Sequence, residues 1–563
     1  MSFTPFDESW LVWGWMWVLL PLLWTTAPKK RGLRGFALAW VSGMAFWVIN
    51  LKWLGSVTWP GTVALSCYLS LYFGFFGAFA ATVANPWRRG FAATRTIPAR
   101  FREMARSLGY AALLGGFWCG LEWVRGILMT GFGWNGLGVT FATNLILAQN
   151  AEYVGVIGLA FLPVFLSVVA VQTARRFYQQ FRLGEVKMLH WDFAGALLVV
   201  MAAFIVGTTR LTSVTNAPKI EARVLLMQQN IPQKAGVPDP AWSAQRTVDG
   251  FIELTEKGIE QAEIDAGVAL QTTDSEEVVV GIDYPDLVVW PEACLPDFLK
   301  LSQDGLSKGG PGIESIFDYV TGLGDFTFVT GINEYTGDNP MDPESQVYNS
   351  FIADAGEGKR ASYQKHHLVI LGEFIPDLPF LRALYRDAAG VEFGNGITPG
   401  QSFEPLRFQV NDVEVGMIPS ICFEDTVPRV TRKFVRNEPQ LLVNITNDGW
   451  FGESEGAAQH FRNALFRTIE LRRPMVRSAN RGVTGIVSAA GALTDPYTRE
   501  KRSLVDEDGS HFHRGYLLAS AYIPAEGGMT LYAAFGDWFA VTGLMIGILW
   551  VVFFSVQKRF SRK

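Results

Sequence analysis

"IPSICFEDTVP", residues 418–428, decides how the hydrophilic part of this chain is read. Its apolar residues run up to Cys422 as a buried strand does, and Thr426 and Pro428 look like a helix start with proline just inside it. A thiol thus ends a strand, and Glu424 and Asp425 crowd it. Negative charge nearby raises a thiol's pKa and makes it a poorer nucleophile. Either Cys422 is inert or something elsewhere compensates, and the following helix's positive pole is one candidate.

Working outward, strand-like runs rich in β-branched and aromatic residues recur on both sides: "RVLLMQQN" (223–230), "DLVVWPE" (286–292), "FTFVTGIN" (326–333), "VYNSFIAD" (347–354), "VEVGMIPSICF" (413–423), "LLVNITND" (441–448) and "GVTGIVSAAG" (482–491). Helix-like stretches fall between several of them, at 243–264, 427–437 and 457–472. Such alternation implies an α/β fold. The stretch 268–285 reads as a loop or insertion, and no internal repeat or low-complexity tract is visible.

The rest of the chain belongs to a different solvent. With 19 Trp, 41 Phe, 49% hydrophobic and only 18% charged residues, the composition suits a membrane protein carrying a soluble part. Seven stretches are apolar for long enough, or nearly so, to cross a bilayer: 10–26, 35–51, 61–85, 108–131, 152–173, 193–209 and 531–555. Asp7 and Glu8 precede the first where a secretory signal would carry basic residues, so it is not read as one. Lys29, Lys30, Arg31 and Arg34 follow the first span, six arginines between 88 and 106 the third, Arg175, Arg176, Arg182 and Lys187 the fifth, and four basic residues end the chain. The alternate loops carry almost none, so the N-terminus is expected outside and the C-terminus in the cytoplasm. The expected domains are a membrane domain over 1–209 with about six spans, an extracytoplasmic α/β domain over 210–528, and a final span with a basic tail over 529–563. The net charge of −5 is small for this length, which speaks against nucleic acid as a partner.

Three motifs fail on context. "GFGWNG" (131–136) follows a membrane span rather than a strand, so it is no dinucleotide loop. In "GESEG" (452–456), Ser454 sits several residues past the strand end between two glutamates that would oppose an alkoxide. Adjacent His366 and His367 cannot easily face one ion from a strand, so no metal is expected. Cys67 and Cys119 read as small buried hydrophobes, whereas Cys294 is either packing or a disulfide partner of Cys422. Three segments keep polar residues inside apolar surroundings: Glu292 in "VVWPEACLPDF" (288–298), Lys365 and Glu373 in "YQKHHLVILGEFIP" (363–376), and Cys422. Each alone has a structural explanation: a strand-end carboxylate caps something, a lysine lies in solvent, a cysteine packs. Together they make a nucleophile, a base for its proton, and a cation for thiolate and oxyanion.

That set resembles the Glu-Lys-Cys sites of the nitrilase, or carbon–nitrogen hydrolase, superfamily. "EWVRGILMTGFGWNGLG" (122–138), "NIPQK" (230–234), "LGEFIPDLP" (371–379), "TNDGWFG" (446–452), "QHF" (459–461), "RTIELRRPMVRSANRGVTG" (467–485) and "TLYAAFGDWF" (530–539) narrow the resemblance to its membrane-embedded branch, the apolipoprotein N-acyltransferases. The resemblance implies a multi-span α-helical membrane domain plus an αββα sandwich. It implies Glu292 as general base, Lys365 as charge and oxyanion stabiliser, Cys422 as nucleophile, and Glu373 and Glu424 as supporting carboxylates. It also implies a phospholipid acyl donor, a diacylglyceryl apolipoprotein acceptor, a cysteine thioester between them, no cofactor, a monomer, and a bacterial inner membrane location with a periplasmic catalytic domain. Two departures stand out. Phe423 occupies the family's tyrosine position, and the family's eight spans become seven, the first lacking a counterpart. Independently of the family, Glu122 and Arg125 share one face of an apolar helix, as a lipid-headgroup contact or a helix-packing pair. The alternatives are a membrane-tethered amidase or nitrilase, and a receptor that keeps an inactive nitrilase-like domain.

Overall fold

The computed structural model describes residues 2–88, 97–182, 190–232, 243–271, 284–302, 305–356, 358, 360–370, 372–376, 386 and 396–560. The chain divides into two compact units, Met1–Ser213 with Thr530–Lys563, and Val214–Met529.

The first unit is helical: α1 (Arg31–Asn50), α2 (Trp59–Ala81), α3 (Ile97–Arg125), α4 (Ala151–Leu159), α5 (Phe161–Arg182), α6 (Trp191–Asn216) and a C-terminal helix, Trp538–Phe560. Among the described residues, four helices are long and apolar enough to cross a membrane: α1, Trp59–Arg88, α6 and the C-terminal one. The pair α4–α5, bent by 58°, makes a fifth if it is one span. Glycines let these helices touch backbone to backbone, the usual device where apolar burial gives no net drive. A Cβ on Gly35 of α1 would come within 2.6 Å of both the Gly77 carbonyl and the Ala81 methyl of α2.

The helices differ from the seven straight spans expected. The stretch 10–26 is a 3-10 helix (Ser9–Trp13), a turn, and a seven-residue α-helix (Leu19–Thr25). Pro21 accounts for this, because proline fits only a helix's first turn and so forces the helix to begin just before it. The stretch 108–131 stops being α-helical at Arg125, and Gly131 beyond it has φ +89. The stretch 152–173 breaks around Ala160, with Gly155 (φ 70) already out of helical conformation. Part of the basic loops (89–96 and 183–189), most of the loop read at 268–285, and the "LGEFIPDLP" motif at 371 and from 377 lie outside the described residues.

The second unit is an αββα sandwich. One sheet has the order β13 (Gly515–Pro524), β1 (Lys219–Gln228), β2 (Leu287–Val289), β5 (Thr327–Tyr335), β3 (Phe298–Leu301), β4 (Ser307–Lys308), with β6 (Val347–Asp354) on β5 and β7 (Arg360–Gln364) on β6. The other runs β12 (Gly485–Val487), β11 (Met475–Ala479), β10 (Gln440–Thr446), β9 (Val413–Ile421), β8 (Leu406–Val410). Strand alternation sends Leu225 and Met227 of β1 into a core shared with Phe251 and Leu254 of α7 (Ala244–Gln271) and Phe317 and Val320 of α8 (Pro311–Thr321). The sheets are tied to each other by Ser478 Oγ of β11, which lies 2.8 Å from Met227 O and 3.1 Å from Val289 O. The third helix, α9 (Glu455–Leu471), is buried along nearly its whole length.

The helix read at 427–437 shrinks to Pro428–Thr431 and a 3-10 turn, Arg432–Phe434. Its β-branched residues Val427, Val430 and Thr431 disfavour continuation, and Val435 is already extended. Strand β11, "MVRSA", carried no apolar alternation to read, because Arg477 and Ser478 are buried for their bonds rather than their hydrophobicity.

Candidate active site

Each candidate group is delivered by the end of a strand. At the end of β2, Trp290 stacks on Phe251 with ring centroids 5.1 Å apart and gives its Nε1 to Thr255 Oγ1 at 3.0 Å. That anchor fixes Pro291 and Glu292 immediately after it. The turn passes so close over β5 that a Cβ on Gly331 would lie 2.6 Å from Ala293 N and 2.7 Å from Glu292 Cα, which only glycine permits. Lys365 follows β7 and is held by its own backbone: its N–H donates to Asn349 O (2.9 Å) and its carbonyl accepts from Gly400 N (2.8 Å). Cys422 follows β9 with φ +52, a left-handed conformation that costs a non-glycine residue about 1–2 kcal/mol and turns the thiol off the strand line.

These residues converge. Lys365 Nζ lies 2.8 Å from Glu373 Oε1 and 3.7 Å from Glu292 Oε1, and Lys365 is 1% exposed. Asn349 Nδ2 bridges the same two carboxylates, donating at 2.9 Å to Glu292 and 3.0 Å to Glu373. Glu373 also accepts from Val369 N at 2.8 Å. The Cys422 thiol and the Glu292 carboxyl lie near enough for each to shift the other's pKa. Burial, helped by Glu373, pushes the Glu292 carboxyl above its ordinary range against the pull of Lys365. Burial, then Glu292, pushes the thiol well up. Burial disfavours the Lys365 ammonium, but Glu373, Glu292 and Cys422 outweigh it and hold the group charged. Glu373 is itself held below its usual range, because Lys365 and its hydrogen bonds overcome its burial. The resting pair is therefore a neutral thiol beside a carboxylate of raised basicity, with a fixed cation alongside: an arrangement able to move the thiol proton to Glu292 and stabilise the charge that forms.

The two acids that follow the thiol are accounted for, and neither by a helix pole. The segment Cys422–Thr426 is a five-residue 3-10 helix, too short to supply the positive end expected from the sequence, and the thiol's pKa is raised rather than lowered. Glu424 turns its carboxylate away to accept from Ile421 N (2.9 Å), His366 N (2.8 Å), His367 N (2.9 Å) and Tyr363 Oη (2.9 Å). It thereby staples the Cys422 turn to the segment that carries Lys365. Phe423, the aromatic residue after Cys422, stacks with His367 at 5.8 Å.

Asp425 enters a network that the sequence did not disclose. His460 Nε2 meets Asp425 Oδ1 at 2.9 Å and its Nδ1 meets Asp448 Oδ1 at 2.7 Å, while Arg477 reaches Asp425 Oδ2 (3.3 Å) and Asp448 Oδ2 (3.1 Å). All four side chains are 0% exposed. Burial opposes the imidazolium, but the two aspartates raise the His460 pKa from 6.5 to about 9. Two anions and two cations thus close on each other between the turn after Cys422, the end of β10, α9 and β11. Because the folded pKa exceeds the ordinary one, the stabilisation is complete below about pH 6.5 and is lost as pH rises through about 9, a swing of about 3 kcal/mol. A His460→Gln chain is expected to melt lower than wild type near about pH 6, by roughly 3–5 kcal/mol of stability. The gap should narrow in melts carried to about pH 10; a gap constant with pH would remove the charged-imidazole reading.

Other candidates settle elsewhere. Ser454 caps α9, accepting from Gly456 N (3.2 Å) and donating to Phe451 O (2.6 Å). Cys294 and Cys422 are both free thiols, so the disulfide alternative does not hold. Cys294 Sγ lies 3.0 Å from Thr330 Oγ1, and burial pushes its pKa up to about 12. Glu122 and Arg125 belong to the other unit.

Residues 1–169 match the model of the apolipoprotein N-acyltransferase N-terminal domain, and residues 276–522 that of carbon–nitrogen hydrolases. The chain is similar to an apolipoprotein N-acyltransferase of Shewanella oneidensis, 26% identical over 99% of this chain and 94% of that one. It is 27% identical to another from Geobacter metallireducens, over 85% of this chain and 81% of the relative. A solved carbon–nitrogen hydrolase superfamily protein of Xanthomonas campestris aligns with 54% of this chain and 90% of its own, at 14% identity and a TM-score of 0.30.

Proposed function

The chain belongs to the apolipoprotein N-acyltransferase family, whose members combine apolar helices with a nitrilase-like domain, and on that premise we propose that it moves a fatty acyl chain from a membrane phospholipid to a diacylglyceryl apolipoprotein through Cys422. The observation that carries the reading is the placement of Lys365 Nζ at 2.8 Å from Glu373 and 3.7 Å from Glu292, near enough to Cys422 for the three charged groups and the thiol to shift one another's pKa.

In the proposed route, Glu292 takes the proton from Cys422 as sulfur attacks the ester carbonyl of the phospholipid. Lys365 stabilises the oxyanion. Collapse breaks the ester C–O bond, and the proton held by Glu292 passes to the departing lysophospholipid oxygen, leaving a thioester on Cys422. The α-amine of the lipoprotein's diacylglyceryl-cysteine then attacks the thioester, Glu292 accepts its proton, and an amide and the free thiol result. The ester already carries an activated acyl group, so no step calls for a cofactor. Membrane attachment has a mechanistic purpose here: donor and acceptor are both lipid-anchored, and tethering raises their effective concentration at the thiol. The alternation of basic loops supports a cytoplasmic C-terminus and a periplasmic catalytic unit.

One experiment tests activity and orientation together. Sealed right-side-out membrane vesicles containing the chain receive, from outside, a water-soluble peptide bearing diacylglyceryl-cysteine with a free α-amine. The expected product is the same peptide with one further acyl chain in amide linkage, formed by these vesicles and not by inside-out ones. Hydrolysis of small soluble amides with no peptide acylation would favour a tethered amidase instead.

A further inference from the structure

The charges that meet behind the Cys422 turn balance only while His460 carries a proton. Asp425 and Asp448 are negative, Arg477 and the His460 imidazolium positive, and water reaches none of the four. Both ring nitrogens face carboxylate oxygens, Nε2 at 2.9 Å from Asp425 and Nδ1 at 2.7 Å from Asp448, as a ring with two N–H groups requires. Arg477 Nη2, 3.1 Å from Nδ1, is a donor that a neutral ring could accept from, so the site can hold either state. Charged groups on the neighbouring elements are engaged in other pairs. On α9, Arg467 pairs with Glu470 at 2.6 Å and reaches Asp425 O at 3.4 Å. In the turn, Glu424 accepts from the backbone of Ile421, His366 and His367. Loss of the His460 proton would therefore leave one negative charge in excess, buried where solvent cannot screen it.

That excess would sit close to the thiol. Asp425 lies three residues beyond Cys422, and the Cys422 carbonyl accepts from Asn444 Nδ2 of β10 at 3.3 Å, four residues before Asp448. Asp448 already adds to the push that keeps the thiol protonated, whereas Glu292 answers to burial, Lys365 and Glu373. A charge that acts on sulfur more than on the carboxylate receiving its proton returns that proton to sulfur. We infer that His460 is a positioning residue for the Cys422 proton: its charge cancels the aspartates behind the turn and so sets how readily the thiol gives that proton to Glu292. The inference rests on the role proposed above for Cys422. The other titratable groups around the turn change charge in other pH intervals. Burial lowers His366 and takes His367 to about 4, burial and Glu424 push Tyr363 well up, and its carboxylates keep Lys365 charged against burial.

The test reads the thiol directly, with neither phospholipid nor acceptor present. The purified full chain is treated with iodoacetamide, and alkylation of the Cys422 peptide is followed by mass spectrometry from about pH 6 to about pH 10. In wild type the logarithm of the rate should climb less steeply above about pH 8, as the imidazolium, with its pKa of about 9, discharges. His460→Gln makes the excess charge permanent and should slow alkylation at about pH 7 by roughly tenfold or more, the effect of one pKa unit on the thiol. Adding Asp448→Asn to it leaves Asp425 balanced by Arg477, and the double variant should recover most of the rate with no flattening near about pH 9. A network that only holds the fold predicts the reverse, since the double variant has lost more of it. Should His460→Gln fail to fold, Asp448→Asn alone decides: with one carboxylate fewer around the ring, the flattening should move down by about one pH unit or more. A double variant as slow as the single one, or a wild-type profile that Asp448→Asn leaves unchanged, would overturn the inference. Phospholipid loading measured on the same samples should rank them in the same order. Alkylation in that order without any loading would support the role of His460 and contradict the acyl-transfer reading alone.

Discussion

Replacing Lys365 by methionine is expected to lower acyl transfer roughly 100- to 1,000-fold while the chain still folds, the range seen when one preorganised oxyanion donor is lost. The loss has two sources. The oxyanion would have no cation beside it, and Glu292 would face Glu373 through Asn349 with nothing between them to screen like charge. Two carboxylates so placed do not both stay ionised, so the base would retain its proton and the thiol would keep its own. Local structure has reasons to survive: Lys365 is fixed by its backbone bonds to Asn349 O and Gly400 N, which methionine keeps, and methionine fills a similar volume. Losing a buried cation still destabilises, so a melting curve must accompany the rate. Near-wild-type transfer by a folded Lys365→Met chain would mean that the oxyanion is stabilised elsewhere.

What the sequence discloses and what it hides divides along physical lines. Glu292, Lys365 and Cys422 stand out because each interrupts or ends an apolar run, and a polar residue there needs a reason. The strands β1, β2, β5, β6, β9 and β10 are legible because each carries β-branched or aromatic residues in a short run. The His460–Asp425–Asp448–Arg477 network leaves no such mark. Its members sit on a turn, a loop, a helix and a strand, and their meaning lies in pairings across 12 to 52 residues of chain. Strand β11 is hidden because Arg477 breaks the pattern by being buried in a pair. The acids after Cys422 invite a reading as electrostatic neighbours of sulfur, yet Glu424 is spent on backbone N–H groups and Asp425 on His460. Sequence adjacency does not say which way a side chain faces. In the membrane unit, hydropathy locates apolar stretches but neither the break that Pro21 makes nor the bend around Ala160 between α4 and α5.

The most direct measurement concerns the intermediate. If acyl transfer passes through Cys422, the enzyme can be loaded before any acceptor arrives. Purified chain incubated with phospholipid alone should gain the mass of one fatty acyl group, mapped to Cys422 and released by hydroxylamine, as a thioester is. Cys422→Ala should gain nothing. Cys294→Ala should load normally, since that thiol is buried against Thr330 with its pKa pushed up to about 12. A wild-type chain that acylates its acceptor but never carries an acyl group, or one whose acyl group maps to Cys294 or Ser454, would contradict the account.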